Sequence, residues 1–236
     1  MSAGRVLFVG CGPGAADLLT VRAVAALRAA DVVIWSPSLL SRADLDAHVR
    51  PGTEVVAWPP ATGRDILDVF DRARADEELV VRLKGGDPTL FGDLEPELSA
   101  VRERGLGCEI VPGISAVGAA AAALGGELGR RSAPLLLVHA ADLGEPPAQP
   151  SLAVYGVGRD PRVLQQALYD RGLDPGTPCS VAFELSRRDQ TIVDCPLEEL
   201  AETIEDLGLG LLTLVLAGAA PHRAEHVAGG RDTPAV

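Results

Sequence analysis

Three short glycine-containing loops, each directly after an apolar segment, constrain the fold of this sequence most strongly. They are GCGPG at residues 10–14, KGGDP at residues 84–88 and VPGISA at residues 111–116. Glycine lacks a Cβ atom, so such loops can turn sharply and lie close to other backbone or to a ligand. Ligands of open α/β sheets bind beyond the carboxyl ends of the strands, where these loops would meet. The sequence therefore predicts three binding loops at one edge of a parallel sheet.

The first half of the chain alternates short apolar segments with amphipathic ones, which is typical of βαβ units. We predict strands at residues 6–10, 32–35, 54–57, 79–83 and 108–111, and helices at residues 18–29, 62–75, 94–104 and 115–124. This order predicts an α/β protein with a mostly parallel N-terminal sheet.

The second half is shorter and more mixed, and a proline-rich stretch at residues 144–151 precedes it. Strands at residues 152–155, 180–184 and 211–217, a hairpin return at 190–194 and helices at 161–171 and 196–206 predict a C-terminal α/β domain with a mixed sheet. We place the N-terminal domain at residues 1–130, a linker region at 131–150, the C-terminal domain at 151–220 and a flexible tail at 221–236.

Composition excludes several classes of function. The chain has 236 residues and a formal net charge of −12, without the clustered basic residues of a nucleic-acid surface. No apolar run approaches the roughly 18–20 residues of a membrane span, and the first one enters a glycine-rich turn without a signal-peptide cleavage site. The cysteines and histidines lack metal-ligand spacing, so we predict no metal. We expect a cytoplasmic protein that binds neither nucleic acid nor membranes.

Taken singly, each loop leaves alternatives open. A dinucleotide-binding turn needs a further glycine where this chain has Ala15 and Ala16, and Pro13 lacks the amide that a pyrophosphate would use. A tight turn without any ligand is the other interpretation of the first loop. In the second loop, Asp87 can be a turn former or an acceptor for the hydroxyl or ammonium group of a ligand.

In their order and spacing, the three loops together resemble the signature segments of the tetrapyrrole methylases, and the similarity extends from about residue 6 to residue 218. This resemblance implies a homodimeric enzyme whose two α/β domains hold S-adenosylmethionine in a cleft, with a tetrapyrrole across an open trough. Members of the family often carry a methionine at the position of Gly156. The cofactor contacts that the resemblance implies are Pro13, Gly85, Gly86, Asp87, Leu90, Ser115, Ala116, Tyr155, Gly156, Ala182 and Thr213.

Within the family, SPSLL at residues 36–40 and the alanine-rich helix before Leu128 resemble the branch that methylates carbon 11 of precorrin-4 in cobalamin synthesis. KGGDP at residues 84–88 instead resembles the uroporphyrinogen-III branch, but the arginine that follows it there is absent here. We predict methylation of precorrin-4, with uroporphyrinogen III or another acceptor as the alternative. The candidate substrate contacts are Ser36, Ser38, Arg130 and Arg131, the arginines because guanidinium groups pair with carboxylates.

The sulfonium of S-adenosylmethionine is already activated, so transfer to an electron-rich ring carbon needs mainly positioning and no strong general base. The candidates for removing a proton afterwards are Asp17, Asp93, Glu95 and Glu184, and each can equally be a helix cap or a solvated charge. A third interpretation is a module that binds S-adenosylmethionine without turnover, because the residues after Leu128 depart from the precorrin-4 pattern.

Overall fold

The computed structural model describes residues 4–59, 62–128, 135–141, 151–157, 160–208 and 213–218. Its backbone contacts divide these residues into two compact units. Unit 1 contains the described residues up to Ala119 together with Glu184–Thr191. Unit 2 contains those from Ala120 to Phe183 and from Ile192 onward.

Unit 1 is built on a five-stranded sheet in the order β3-β2-β4-β1-β5, and every strand pair in it is parallel. Strand β1 therefore lies between β4 and β5, and the loops that follow these three strands leave the same edge of the sheet. The elements up to the boundary between the units are β1 (Arg5–Gly10), α1 (Val21–Ala29), β2 (Val32–Trp35), α2 (Arg42–Asp46), β3 (Glu54–Ala57), α3 (Gly63–Ala75), β4 (Leu79–Lys84), α4 (Leu94–Glu103), β5 (Gly107–Val111) and α5 (Ala116–Leu124).

Strand β1 is buried on both faces because successive side chains point into two different clusters. Leu7 and Val9 pack with Leu27 of α1 on one face of the sheet. Val6 and Phe8 pack on the other face with apolar side chains of α3 and α4. Since helices cover both faces, the strand reads as a continuous apolar run, as central strands of parallel sheets do.

Polar caps make two helices, α1 and α3, begin later than the hydrophobic pattern predicts. The helix predicted from residue 18 begins at Val21, because the Thr20 side chain accepts a hydrogen bond from the Ala23 amide at 3.1 Å. A separate 3₁₀ turn, Ala16–Leu18, precedes it. The helix predicted from residue 62 begins at Gly63, since Thr62 is its N-cap in a capping box with Asp65. Helix α2 was not predicted, because five residues are too short to show a helical period.

Unit 2 contains a mixed sheet in the order β6-β7-β10-β8-β9. Strands β6 and β7 are parallel, while β10 is antiparallel to both β7 and β8. The predicted α/β class, with one parallel and one mixed sheet, is thus confirmed. The remaining elements are β6 (Leu135–His139), β7 (Ser151–Tyr155), α6 (Pro161–Tyr169), β8 (Pro178–Phe183), β9 (Thr191–Pro196), a 3₁₀ turn (Leu197–Glu199), α7 (Leu200–Leu207) and β10 (Thr213–Ala217).

The division into units follows the chain differently from the predicted domain limits. Strand β6 lies inside the region predicted as a linker, residues 131–150, and pairs with β7 along its whole length. Residues 184–191, which connect β8 to β9, belong to unit 1. The predicted tail, residues 221–236, lies outside the described residues, as does the greater part of the predicted linker. No helix in the described ranges is long and apolar enough to cross a bilayer.

Helix α1 offers a direct test of how its buried face stabilises unit 1. We expect Leu27→Ala to lower the free energy of unfolding by about 2–5 kcal/mol, because this fully buried side chain would leave a cavity. Val21→Ala on the same helix, where the side chain is 88% exposed, should change it by less than about 0.5 kcal/mol. Urea denaturation followed by circular dichroism measures both, and equal effects of the two substitutions would contradict the observed orientation of α1.

Candidate functional site

The loops after β1 and β4 are joined by backbone hydrogen bonds. The Gly12 amide donates to the Gly86 carbonyl at 3.2 Å, and the Gly86 amide donates to the Gly12 carbonyl at 2.8 Å. One step closer to the strands, the Cys11 amide donates to the Lys84 carbonyl at 2.9 Å. Both glycines have positive φ values, 74° at Gly12 and 59° at Gly86, in the left-handed region that favours glycine. The first two predicted loops therefore form one connected surface.

The loop after β5 lies so close to this surface that only glycine fits at the contact. A Cβ atom at Gly113 would lie 2.1 Å from the carbonyl oxygen of Gly86, and one at Gly10 would lie 2.6 Å from the Gly113 amide nitrogen. Such distances are far below van der Waals contact, and the opposing atoms are backbone that cannot rotate away. We call the meeting of Gly10, Gly86 and Gly113 the glycine junction. It brings together the three loops, as predicted from the sequence.

Asp87 links the second loop to the third. Its Oδ1 accepts from the Thr89 amide at 2.8 Å and from the Thr89 hydroxyl at 2.6 Å, while its Oδ2 accepts from the Gly113 amide at 3.2 Å. Burial raises the pKa of Asp87, but these three hydrogen bonds outweigh it and hold the pKa below its ordinary value of 3.8. The carboxylate is thus ionised at neutral pH, and Oδ2, which accepts one hydrogen bond, keeps capacity to accept another from a ligand. Turn forming and ligand binding, the two roles considered for Asp87, are compatible.

The other expected cofactor contacts of unit 1 lie around the same junction. The Leu90 amide donates to the Asp87 carbonyl at 3.1 Å, which continues the turn of the second loop. The Ser115 hydroxyl accepts from the Gly118 amide at 3.3 Å, just ahead of α5, whose first residue is Ala116. Pro13 and Gly85 occupy the first and second loops themselves, so all the contacts expected from unit 1 lie in, or directly beside, the three loops.

The expected contacts of unit 2 lie on its central strands. Tyr155 ends β7, Ala182 lies on β8, and Thr213 begins β10, where Leu214 pairs with Ala182. Gly156 follows Tyr155 with φ 74°, and a Cβ atom there would lie 2.3 Å from Nε2 of His139. The His139 ring thus occupies the space into which a side chain at position 156 would project, which is a physical reason for glycine there.

A buried ion cluster, which the sequence analysis did not predict, supports the second loop by joining the strand before it to the helix after it. Arg82 Nε and Nη2 donate to Glu97 at 3.0 and 3.2 Å, and Lys84 Nζ donates to the same carboxylate at 2.7 Å. The Arg82 guanidinium also lies 5.8 Å from the centroid of the Trp58 ring. A sequence signal did exist, because an arginine in a buried apolar strand requires a partner.

The ion cluster shifts the ionisation of its members. Burial is the largest influence on the pKa values of Lys84 and Glu97, and it lowers the pKa of the Lys84 ammonium. Burial raises the pKa of Glu97, yet the hydrogen bonds and charges of Arg82 and Lys84 outweigh it and hold that pKa below its ordinary value of 4.5. The cluster therefore keeps a carboxylate between two cations and ties α4 to the end of β4.

The candidate proton acceptors lie in different environments. Asp17 is exposed in its 3₁₀ turn, and Asp93 is exposed at the N-cap position of α4 without a side-chain capping bond. Glu95 is exposed and forms an ion pair with Arg102 at 3.3 Å. Glu184 is engaged with Arg187, whose Nη1 donates to it at 2.6 Å. None of these four carboxylates stands out as a base.

Ser36 and Ser38, two of the candidate substrate contacts, lie together beside Arg187. Their hydroxyl groups are 2.8 Å apart, and the Arg187 guanidinium donates to the Ser38 carbonyl. Arg130 and Arg131, the other two candidates, lie outside the described residues. Arg187 was not among the sequence candidates, since nothing local indicates its contact with residues so distant in the chain. In the described part of the chain, no group of three or more His, Cys, Asp or Glu residues could hold a metal ion.

The pattern that describes the tetrapyrrole (corrin/porphyrin) methylases matches residues 5–201. The chain belongs to the tetrapyrrole methylase family. The glycine junction is thus formed by loops from the part of this chain that carries the family pattern.

Relatives and solved structures refine the comparison. The chain is 34% identical to precorrin-4 C(11)-methyltransferase of Mycobacterium tuberculosis over 90% of each chain. It is 32% identical to the uroporphyrinogen III methyltransferase of Arabidopsis thaliana over 91% of this chain and 63% of that one. Its fold matches the cobalt-precorrin-4 methyltransferase CbiF with a TM-score of 0.79 and 28% identity, over 90% of this chain and 94% of the other.

A further solved structure contains a cofactor product. Uroporphyrin-III C-methyltransferase of Thermus thermophilus, complexed with S-adenosylhomocysteine, matches with a TM-score of 0.73 and 29% identity. The match covers 94% of this chain and 99% of that one. Members of both the precorrin-4 and the uroporphyrin branches are therefore similar to this chain.

At Gly113, the glycine junction should not tolerate even a methyl group. We expect Gly113→Ala to lower the free energy of unfolding by about 1–3 kcal/mol, because the added Cβ would overlap the Gly86 carbonyl. Gly63→Ala, where no atom lies within 4 Å of the added Cβ, should be neutral or stabilising. Thermal unfolding measures both, and an unchanged melting temperature in Gly113→Ala would refute the close approach of the loops.

The ion cluster predicts a distinctive pH dependence. We expect Glu97→Gln to lower the free energy of unfolding at pH 7 by about 2 kcal/mol or more, because Arg82 and Lys84 would lose their shared counter-charge. Since the folded pKa of Glu97 is depressed, its contribution is present above pH 4.5 and is lost as the pH falls through the folded pKa. The difference between Glu97→Gln and the parent should accordingly shrink in acid.

The matched control is Glu95→Gln on the same helix, where an exposed ion pair contributes at most about 1 kcal/mol. Urea titrations between pH 3 and pH 7 measure both variants. A loss in the free energy of unfolding of Glu97→Gln that is small at pH 7, or constant over this pH range, would contradict the pairing of Glu97 with Arg82 and Lys84.

Proposed function

We propose that this chain binds S-adenosylmethionine at the glycine junction and transfers its methyl group to a ring carbon of a tetrapyrrole, with carbon 11 of precorrin-4 as the acceptor. The observation that carries the proposal is the junction itself, in which loops from β1, β4 and β5 meet in a chain of this family. A Thermus relative of the same fold holds S-adenosylhomocysteine, and precorrin-4 methyltransferases are among the relatives.

The residues present fit such a cofactor. Glycines at positions 10, 86 and 113 keep side chains out of the junction, so a ligand can approach the backbone closely. The ionised carboxylate of Asp87 is fixed by Thr89 and Gly113 and can accept from an ammonium or hydroxyl group. S-adenosylmethionine, when bound, supplies an activated methyl group on its sulfonium. The expected contacts at Tyr155, Gly156, Ala182 and Thr213 remain predictions.

The protein's contribution to the reaction is then mainly orientation. Correct placement of two reacting groups can lower a barrier by roughly 7–11 kcal/mol in the best cases. The candidate proton acceptors Asp17 and Asp93 are exposed, and Glu184 is paired with Arg187. We infer that the ring carbon attacks without a dedicated strong base and that water or an exposed carboxylate takes the proton afterwards.

Uroporphyrinogen III is the second candidate acceptor. The relatives that act on it are as similar in sequence as those that act on precorrin-4, with 32% and 34% identity in the examples above. The match to CbiF, with a TM-score of 0.79 against 0.73 for the Thermus enzyme, favours precorrin-4. Assays with both acceptors and labelled S-adenosylmethionine distinguish them.

Cofactor binding is tested by calorimetric titration with S-adenosylhomocysteine, with NAD as a ligand that should not bind. We expect micromolar affinity for the parent and at least tenfold weaker binding for Asp87→Ala and Gly86→Val. Gly105→Val is the matched control, because Gly105 also has positive φ, at 67°, but nothing lies within 4 Å of its added Cβ. It imposes a similar backbone strain away from the loops.

If Asp87→Ala and Gly86→Val both bind S-adenosylhomocysteine as tightly as the parent does, the loops do not hold the cofactor. Tight binding of S-adenosylhomocysteine without methyl transfer to either acceptor would contradict the catalytic part of the proposal and favour a binding module.

A further inference from the structure

We propose that Arg187 and Arg188, on the turn that connects β8 to β9, form a pocket that binds a carboxylate arm of the tetrapyrrole acceptor. This inference rests on the proposed function and adds the residues that recognise the acceptor. The pocket has a volume of about 440 Å³ and is lined by both arginines together with residues of the first loop and of the segment around α2. All of its lining residues belong to unit 1.

The backbone of this turn has an energetically unfavourable conformation. Glu184 and Ser186 have φ values of 48° and 66°, in the left-handed region that non-glycine residues rarely adopt. Two hydrogen bonds stabilise it: the Ser186 amide donates to Gln190 Oε1 at 2.7 Å, and the Ala15 amide donates to the Ser186 hydroxyl at 3.0 Å. Backbone strain that neighbouring contacts maintain is found most often at functional sites. Here it fixes the two arginines beside the first loop.

Arg187 forms a rigid wall of the pocket. Its guanidinium donates to Glu184 at 2.6 Å and to the Ser38 carbonyl. Its side chain covers Gly14, where an added Cβ would lie 2.4 Å from Arg187 Nε. Because Glu184 offsets its charge, Arg187 contributes shape and remaining N–H groups more than net charge.

Arg188 provides the uncompensated charge. It is exposed, and within the described residues it makes no ion pair or hydrogen bond. The only carboxylate lining the described pocket is that of Asp44, which accepts from the Ser41 hydroxyl at 2.6 Å. With Arg187 paired to Glu184, the charges that remain at the pocket are those of Arg188 and Asp44, so the local charge is balanced in a chain whose formal net charge is −12. The unpaired Arg188 guanidinium is therefore the group that can hold an anion on an otherwise acidic surface.

The shape of guanidinium favours a carboxylate as that anion, since its planar donors match the two carboxylate oxygens. Precorrins and uroporphyrinogens carry acetate and propionate arms around the ring. The pocket begins at Gly14, directly after Pro13 of the first loop, and its volume is large enough to admit an acidic arm of the acceptor. An acidic arm held here would fix the ring beside the glycine junction.

The test uses uroporphyrin III, a stable tetrapyrrole with eight carboxylates, titrated into the full chain by fluorescence with and without S-adenosylhomocysteine. We expect Arg188→Ala to weaken uroporphyrin binding about tenfold, which is the usual loss for a charge-assisted hydrogen bond. Arg188→Lys should be intermediate, and Asp44→Asn should tighten binding. The matched control, Arg28→Ala, removes another exposed arginine on α1 and should bind as the parent does.

Kinetics supply a second readout. Arg188→Ala should raise KM for the tetrapyrrole about tenfold while kcat and the affinity for S-adenosylhomocysteine stay unchanged. Equal uroporphyrin affinity in Arg188→Ala, Arg28→Ala and the parent, or no binding by the parent, would overturn the pocket assignment. If S-adenosylhomocysteine binds and methyl transfer proceeds in that case, the proposed function stands alone. If the parent fails to bind S-adenosylhomocysteine but Arg188→Ala still weakens uroporphyrin binding, the proposed function fails and the pocket stands.

Discussion

The close approach of three backbone segments at Gly10, Gly86 and Gly113 determines the local architecture of unit 1. Neighbouring parallel strands lie only about 4.8 Å apart, so the loops that leave β4, β1 and β5 must either diverge or lose their side chains. In this chain the residues at the points of contact have no side chain, and the Gly86 carbonyl oxygen lies 2.1 Å from the position of a Cβ at Gly113. That proximity lets Asp87 reach the Gly113 amide and lets the Gly12 and Gly86 backbones pair.

A junction built from backbone needs support beneath it, and the ion cluster provides this. Arg82 and Lys84 alternate with apolar residues near the end of β4, and Glu97 of α4 binds both. The arrangement anchors the helix that follows the second loop to the strand that precedes it, so both ends of the loop are fixed. Removing the carboxylate would leave two partly buried cations without compensation, which is why such clusters depend on each of their members.

The sequence predicted what local pattern and spacing determine. The strands of the first sheet, their parallel order and the gathering of three loops follow from apolar runs and glycine placement, and they are confirmed, whereas β6 lies where a linker was predicted. Helix beginnings were less accurate, because the Thr20 cap, not the first apolar residue, sets where α1 begins. The Glu97 cluster and the contact of His139 with Gly156 were missed, since each joins side chains from separate elements whose register no local pattern reveals.

The contact of Arg187 with Ser38 is a further case, because 149 residues separate the two. This distance has a consequence for specificity. The segment that supplies Arg187 and Arg188 follows β8, whereas the glycine junction follows β1, β4 and β5. Residues 184–191 are thus distant in the chain from the loops that identify the family, although Ser186 and Arg187 contact the first of them. If the proposed pocket recognises an arm of the acceptor, cofactor binding and the choice of tetrapyrrole are encoded in different parts of the chain. The three loops then indicate the family more sharply than they indicate the acceptor.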